Sequence, residues 1–95
     1  MVKHIVMWKL KEEKKEENAK KIKELLEGLS LDVIRRLEVG VNENPSDAAY
    51  DAVLYSEFDS WDDLDTYQNH PEHKKISAFV ASVRSDRAVV DFEVG

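Results

Sequence analysis

The first apolar pattern of the chain predicts a central β-strand. From Val2 to Leu10, apolar residues occupy the middle of both sets of alternating positions, which are Val2, His4, Val6, Trp8 and Leu10 on one side and Lys3, Ile5, Met7 and Lys9 on the other. Successive side chains of a strand point to opposite faces, so a strand that is apolar on both faces is covered on both.

The spacing of the apolar residues then changes to that of a helix and afterwards returns to the two-residue repeat of strands. From about Glu13 to Leu29 an apolar stripe predicts an amphipathic helix, with Gly28 as a breaker near its end. Ile34 to Asn42 alternates on one side only, as an edge strand does, whereas Tyr50 to Phe58 carries apolar residues on both faces. The polar segment between them is typical of a loop, so these two strands form a hairpin.

The last part of the chain predicts a helix in two pieces and a final strand. Ser60 is a candidate N-cap with acidic residues in the following turn, and this helix ends near Asn69, because Pro71 disfavours helical geometry at His70. A second piece begins at Pro71 and presents an apolar face. Residues 84–87 are polar and predict a turn, and residues 88–94 alternate as a strand.

This element order predicts an α+β, ferredoxin-like fold, βαββαβ, in a single domain over residues 1–95. Right-handed crossovers then give an antiparallel sheet of strand order 4-1-3-2 with its helices on one face. The order agrees with the patterns, because strands one and three are apolar on both faces and strands two and four alternate as edges do.

Helices on one face leave the opposite face of the sheet bare, which predicts a homodimer. We expect a second copy of the chain to cover the apolar residues on that face, which are Ile5, Met7, Val53, Tyr55 and Val89. The two sheets packed back to back would form a dimeric α+β barrel.

Composition narrows the function classes. The net charge of −6 disfavours nucleic acid as a partner, since gripping phosphates needs a basic face. Without cysteine, there is no thiolate nucleophile and no Cys zinc site. The chain has no nucleotide-cofactor fingerprint, no apolar run of membrane-spanning length and no signal-peptide pattern at its start, so we expect a cytoplasmic protein without a cofactor or a membrane partner.

The unusual chemistry is concentrated from Tyr67 to Lys75, which holds two of the three histidines and one of the two prolines. A helix that begins at Pro71 places His73 in its first turn, where free N–H groups favour a neutral imidazole. His70 and His73, three residues apart, could be read as a metal pair, but Pro71 removes His70 from helical geometry, so the spacing does not place both rings on one helix face. A cap is the simpler role of His70. No metal site is predicted.

Three motifs together resemble the stress-responsive A/B barrel (Dabb) family: Lys3-His4 in the first strand, an aromatic residue followed by His-Pro-x-His at residues 67–73, and Val-Val-Asp-Phe at residues 89–92. The resemblance implies a ferredoxin-like subunit that pairs into a dimeric barrel. It also implies that His4, Tyr67 and His73 line one cavity, and in a plant polyketide cyclase of the family a Tyr/His pair of this kind is catalytic.

Several functions stay open on the sequence. His4 lies on an apolar face, where a histidine is more often a hydrogen-bonded core residue than a catalyst. The first hypothesis is a protein that binds a small, partly apolar ligand without turnover, in a pocket lined by Trp8, Trp61 and Phe79, although periodicity does not separate pocket from core. The second is a cofactor-free cyclase, lyase or isomerase of carbonyl compounds, with His73 as base and Tyr67 as hydrogen-bond donor. An oxygenase is a weaker third.

Overall fold

A four-stranded antiparallel sheet carries three helices on one of its faces in the computed structural model, which describes all 95 residues. The elements in chain order are β1 (Val2–Leu10), α1 (Lys15–Glu27), β2 (Arg36–Val41), β3 (Ala52–Phe58), α2 (Trp61–Asn69), α3 (Pro71–Val83) and β4 (Arg84–Glu93). The strand order is β2-β3-β1-β4, which is the predicted order counted from the other edge, so the ferredoxin-like fold is confirmed. None of the three helices is long and apolar enough to cross a membrane.

The helices bury one face of the sheet, which we call the covered face. The even-numbered residues of β1 and β3 point towards the helices and are buried, whereas the residues between them are less so. One core cluster joins β1 and β3 to α1 and α3, and a smaller one joins Val2 and Phe58 to Leu64 and Tyr67 of α2. The second cluster fixes α2 over the end of the sheet where His4 lies.

The interruption at Pro71 is built as predicted. The Ser60 hydroxyl accepts the N–H of Asp63 at 3.1 Å and starts α2. His70 has extended backbone angles, φ −66° and ψ 136°, and its Nδ1 accepts the N–H of Glu72 at 3.1 Å, so it caps α3. Pro71 is the first residue of α3, where its missing N–H costs no helical hydrogen bond. This cap fixes where α3 begins and thus where His73 lies.

The predicted turn at residues 84–87 is wrong, because α3 passes into β4 without a loop. Arg84 already has extended backbone angles, φ −89° and ψ 148°, and it pairs with Leu10 of β1. A register shift between Lys9 and Leu10 accommodates the junction. Arg84 and Arg87 therefore lie on the sheet instead of in a surface loop.

The face without helices, which we call the open face, exposes apolar side chains. Met7 is 38% exposed, Val90 53% and Phe92 39%. Residues opposite each other on paired strands share a face, and Ile5 is opposite both Tyr55 and Val90. Val89 is opposite Val6 and so lies on the covered face, which corrects its predicted place on the bare side: Val90 occupies that place.

Candidate functional site

A cavity of about 120 Å³ lies between the covered face, α1 and α3. Half of its lining residues are apolar, and the polar ones include two histidines and two arginines but no carboxylate. The lining residues are His4, Val6, Trp8, Leu26, Leu54, Gln68, His73, Ile76, Ser77, Val80, Arg84 and Arg87. The cavity thus joins an apolar wall to basic and imidazole groups.

His4 is fixed by a carboxylate on the neighbouring strand. Its residue is 2% exposed, and its Nδ1 lies 2.5 Å from the Asp91 Oδ1, which β4 places directly opposite in the strand register. A carboxylate only accepts hydrogen bonds, so Nδ1–H of His4 is the donor. In the neutral ring, Nε2 then carries the free lone pair.

His73 also carries its proton on Nδ1, but a backbone carbonyl instead of a carboxylate accepts it. Its Nδ1–H donates to the Gln68 carbonyl oxygen at 3.2 Å, across the break between α2 and α3, and the Ser77 hydroxyl lies 3.5 Å from the same nitrogen. Burial lowers the pKa of His73, and the nearby Arg87 lowers it further, although the hydrogen bond to Gln68 opposes both. A neutral His73 therefore presents Nε2 as an acceptor.

The ring of Tyr67 packs near both histidines. Its ring centroid is 4.3 Å from that of His73 and 6.3 Å from that of His4, in a tilted and an edge-on arrangement. The residue is fully buried and its hydroxyl has no hydrogen-bond partner. Burial raises the pKa of the hydroxyl, so it stays protonated and remains a donor at neutral pH.

The structure thus brings His4, Tyr67 and His73 together, but they do not have equal access to the cavity. Both histidines line it, whereas Tyr67 packs against their rings and against Phe58 behind the wall. The arrangement supplies two imidazole rings, of which His73 is the acceptor, and one buried phenol donor. These are the groups needed to move a proton and to stabilise a developing oxyanion.

Of the three aromatic residues expected in the pocket, only Trp8 lines the cavity. Trp61 lies outside it, because it is the first residue of α2, is 47% exposed and donates to Glu93 Oε1 at 3.3 Å. Phe79 also lies outside the wall: it packs against the main core cluster, with the Lys21 ammonium of α1 4.6 Å from its ring centroid.

His70 and His73 lie in different environments, as expected from the helix break at Pro71. His70 caps α3 at the surface, whereas His73 turns into the cavity. No group of three histidine, aspartate or glutamate side chains is placed to hold a metal ion.

Sequence reasoning missed Asp91, and for Arg84 and Arg87, together with Arg35 and Arg36, it favoured paired surface or interface charges over an anion site. Asp91 stood in the Val-Val-Asp-Phe motif as a charged residue between apolar ones, which was a signal, but only the register of β1 with β4 shows that it meets His4. The arginines were assigned to a turn, so their place on the cavity wall was not visible.

Solved structures share the fold over nearly the whole chain. A dimeric protein of unknown function and ferredoxin-like fold from Bacteroides fragilis is 41% identical, with a TM-score of 0.90 over 98% of this chain and 95% of that chain. A Dabb family protein with a ferredoxin-like fold from Mesorhizobium loti is 19% identical, with a TM-score of 0.72 over 99% and 97%. A hydroxynitrile lyase from Passiflora edulis is 16% identical, with a TM-score of 0.77 over 99% and 93%. At the last two identities the likeness shows the fold alone.

No curated protein matches the sequence. The family model described as Stress responsive A/B Barrel Domain, Dabb, matches residues 2–94. The chain therefore belongs to the stress-responsive A/B barrel family.

Proposed function

We propose that the protein is a homodimer formed through its open face. The support is the row of apolar side chains that the helices leave uncovered, together with the similar protein from Bacteroides fragilis, which is described as dimeric. At the end of this face, Lys3 and Arg36 lie 5.7 and 5.6 Å from the ring centroid of Tyr55, which adds a charged rim beside the apolar patch. A monomeric mass by light scattering at micromolar concentration would contradict the dimer.

Within each subunit, the cavity binds a small, partly apolar ligand. The supporting observation is the mixed lining, which is half apolar and converges on two histidines. Its volume of about 120 Å³ is close to that of an engineered cavity of about 150 Å³ that binds benzene. The ligand group that enters is therefore no larger than a small ring or a short chain.

The chemistry that this site supports best is proton transfer on a carbonyl compound without a cofactor. His73 Nε2 takes a proton from a carbon next to the carbonyl. The electron pair of the broken C–H bond forms a C=C bond, and the π pair of the C=O bond moves to the oxygen to give an enolate. The Tyr67 hydroxyl donates to that oxygen as it gains charge, and Nε2 of His4, held by Asp91, accepts from a ligand hydroxyl. This would serve a cyclase, a lyase or an isomerase.

The role of Tyr67 sets a condition on this mechanism, because its hydroxyl lies behind the cavity wall. A ligand in the cavity can use this hydroxyl only if the wall yields enough to admit the carbonyl oxygen. A fully buried hydroxyl without a partner is rare in native proteins, and a bound carbonyl oxygen would satisfy it. If the hydroxyl stays out of reach, Tyr67 only orients His73 through their ring contact, and the site binds without turnover.

One experiment separates binding from chemistry. Thermal-shift screening of β-keto acids and phenolic acids tests binding, and deuterium exchange of the acidic C–H of a bound keto acid, followed by NMR, tests proton abstraction. We expect His73→Ala to lower the exchange rate by about two to four orders of magnitude. His70→Asn is the matched control, since it keeps a capping side chain outside the cavity and should leave exchange unchanged.

Each outcome has one meaning. A screen in which no compound moves the melting temperature would contradict the ligand site. Binding without exchange, or exchange that His73→Ala leaves intact, would contradict the proton-transfer chemistry and leave the binding role. Monooxygenases of antibiotic biosynthesis also share this fold, at 18% identity in each of two structures, but that likeness supports no oxygenase assignment here.

A further inference from the structure

Two of the four arginines of the chain lie on the cavity wall and have no acidic partner. Arg35 pairs with Asp59 at 2.7 Å and Arg36 with Glu38 at 3.1 Å. Arg84 and Arg87, by contrast, form no salt bridge, and their side chains donate no hydrogen bond to any other residue. The chain has 20 acidic and only 14 basic residues, so these two guanidinium groups are unpaired despite an excess of carboxylates.

The acidic residues near these arginines are already engaged. Asp86 accepts the Tyr50 hydroxyl at 3.1 Å and the backbone N–H of Arg87 at 2.8 Å. Asp91, on the same face of β4 as Arg87, is held by His4. No carboxylate lines the cavity, so its charged wall is positive. A wall of this kind attracts an anion, and a guanidinium matches a carboxylate with two parallel hydrogen bonds.

We propose that Arg84 and Arg87 form a subsite for the carboxylate of a small organic acid whose apolar body lies against Trp8 and Val80. This inference rests on the proposed function, because it names the ligand class of the same cavity. The apolar half of the wall and the volume of about 120 Å³ favour a compact monocarboxylate over a bare inorganic anion. The carboxylate end then sets which carbon of the ligand lies near His73.

The direct path from helix to strand anchors the backbone of both arginines. Arg84 is the C-cap of α3, and its backbone N–H donates to the Val80 carbonyl oxygen. Arg87 is three residues further on β4, opposite Trp8 of the central strand. Both side chains therefore extend from regular backbone at fixed places beside the cavity.

A matched pair of ligands tests the charge preference. Benzoate and benzamide have nearly the same shape and size, but only benzoate carries a negative charge. Binding is followed by the fluorescence of Trp8, which lines the cavity, with a Trp61→Phe background to remove the second indole. We expect wild type to prefer benzoate, and Arg84→Gln/Arg87→Gln to raise the benzoate Kd by about ten- to a hundredfold while leaving benzamide unchanged.

Control variants make the result specific. Arg35→Gln removes one positive charge outside the cavity and should leave the benzoate Kd unchanged. Arg84→Lys/Arg87→Lys keeps the charge and should retain part of the preference, which also covers the case in which the glutamine double variant unfolds. Unfolding of each variant is checked by circular dichroism.

The outcomes separate this inference from the proposed function. Equal affinity of wild type for benzoate and benzamide, an unchanged benzoate Kd in the folded glutamine variant, or no benzoate binding up to its solubility limit would each overturn the carboxylate subsite. Inorganic phosphate that binds as tightly as benzoate would overturn the organic-acid class. None of these results depends on proton exchange at His73, so the acid-base proposal succeeds or fails on its own measurement.

Discussion

The two faces of the sheet use the same kinds of residue for opposite purposes. The covered face buries Phe58 fully and places His4 and Tyr67 in its interior, whereas the open face leaves Phe92 39% exposed and Tyr55 half-buried. The covered-face residues of β1 and β3 are buried within one chain, but burial on the open face needs a second surface. Stability of the subunit and assembly of the dimer are therefore carried by different residues, which substitutions can separate.

The largest expected effect is on the covered face. Phe58→Ala should lower the free energy of unfolding by about 3–5 kcal/mol, because it opens a cavity in the cluster that holds α2 on the sheet. Phe92→Ala is the matched substitution on the open face. Its loss should depend on protein concentration, because it acts through association.

Urea unfolding at two protein concentrations measures both effects. If Phe92→Ala lowers the free energy of unfolding as much as Phe58→Ala does, and independently of protein concentration, then the open face stabilises the subunit itself and not only the dimer.

The next prediction concerns dimer formation and compares two neighbouring residues of β4. Val90→Asp places a charge on the open face and should weaken the dimer by about tenfold or more in Kd, since an unpaired charge would be buried between subunits. Val89→Asp places the same charge on the covered face at a position that is 48% exposed, so the dimer should persist. Sedimentation or light scattering across a dilution series gives the mass. Dissociation by Val89→Asp alone would reverse the assignment.

The pair Val89 and Val90 also shows how far the sequence could be taken. Periodicity assigns the residues of β1 to faces because one set of positions is apolar apart from His4, whereas the other set begins and ends with lysine. The fold followed from patterns of this kind. In β4 both sets of positions contain valine, so alternation alone does not say which set faces the helices. The register with β1 decides it, and register is a property of two strands together.

For the site too, local features could be predicted from the sequence, whereas contacts between distant residues could not. The proline at residue 71 fixes the place of His70 and His73 locally, so their different roles could be inferred from three neighbouring residues. The contact between His4 and Asp91 spans 87 positions and depends on that same register. Trp61 was misplaced because an aromatic residue at a helix start has no periodic partner that shows whether its ring turns inward.

A smaller effect on the free energy of unfolding follows from the protonation of His73. The pKa of His73 is below its ordinary value of 6.5 in the folded chain, so between the two values the unfolded chain binds more protons than the folded one. His73 therefore contributes full stability above pH 6.5, and that contribution is lost as the pH falls through 6.5 towards the folded pKa. His73→Gln should flatten this part of the curve of unfolding free energy against pH. Parallel curves for wild type and variant would show that His73 is not desolvated.

The smallest expected effect has opposite signs on the two faces. Tyr67→Phe removes a buried hydroxyl that has no partner, so the free energy of unfolding should stay the same or rise by about 1 kcal/mol. Tyr55→Phe removes a hydroxyl that donates to Glu57 Oε2 at 2.5 Å on the open face, so here the free energy of unfolding should fall by about 0.5–1.5 kcal/mol.

Urea unfolding of the two variants beside wild type measures the contrast, and a clear loss of stability for Tyr67→Phe would show that its hydroxyl has a partner in solution. The same variant sharpens the functional question. If Tyr67→Phe gains stability and loses proton exchange, the chain keeps an unsatisfied hydroxyl for a bound ligand, because nothing in the folding of the subunit requires it.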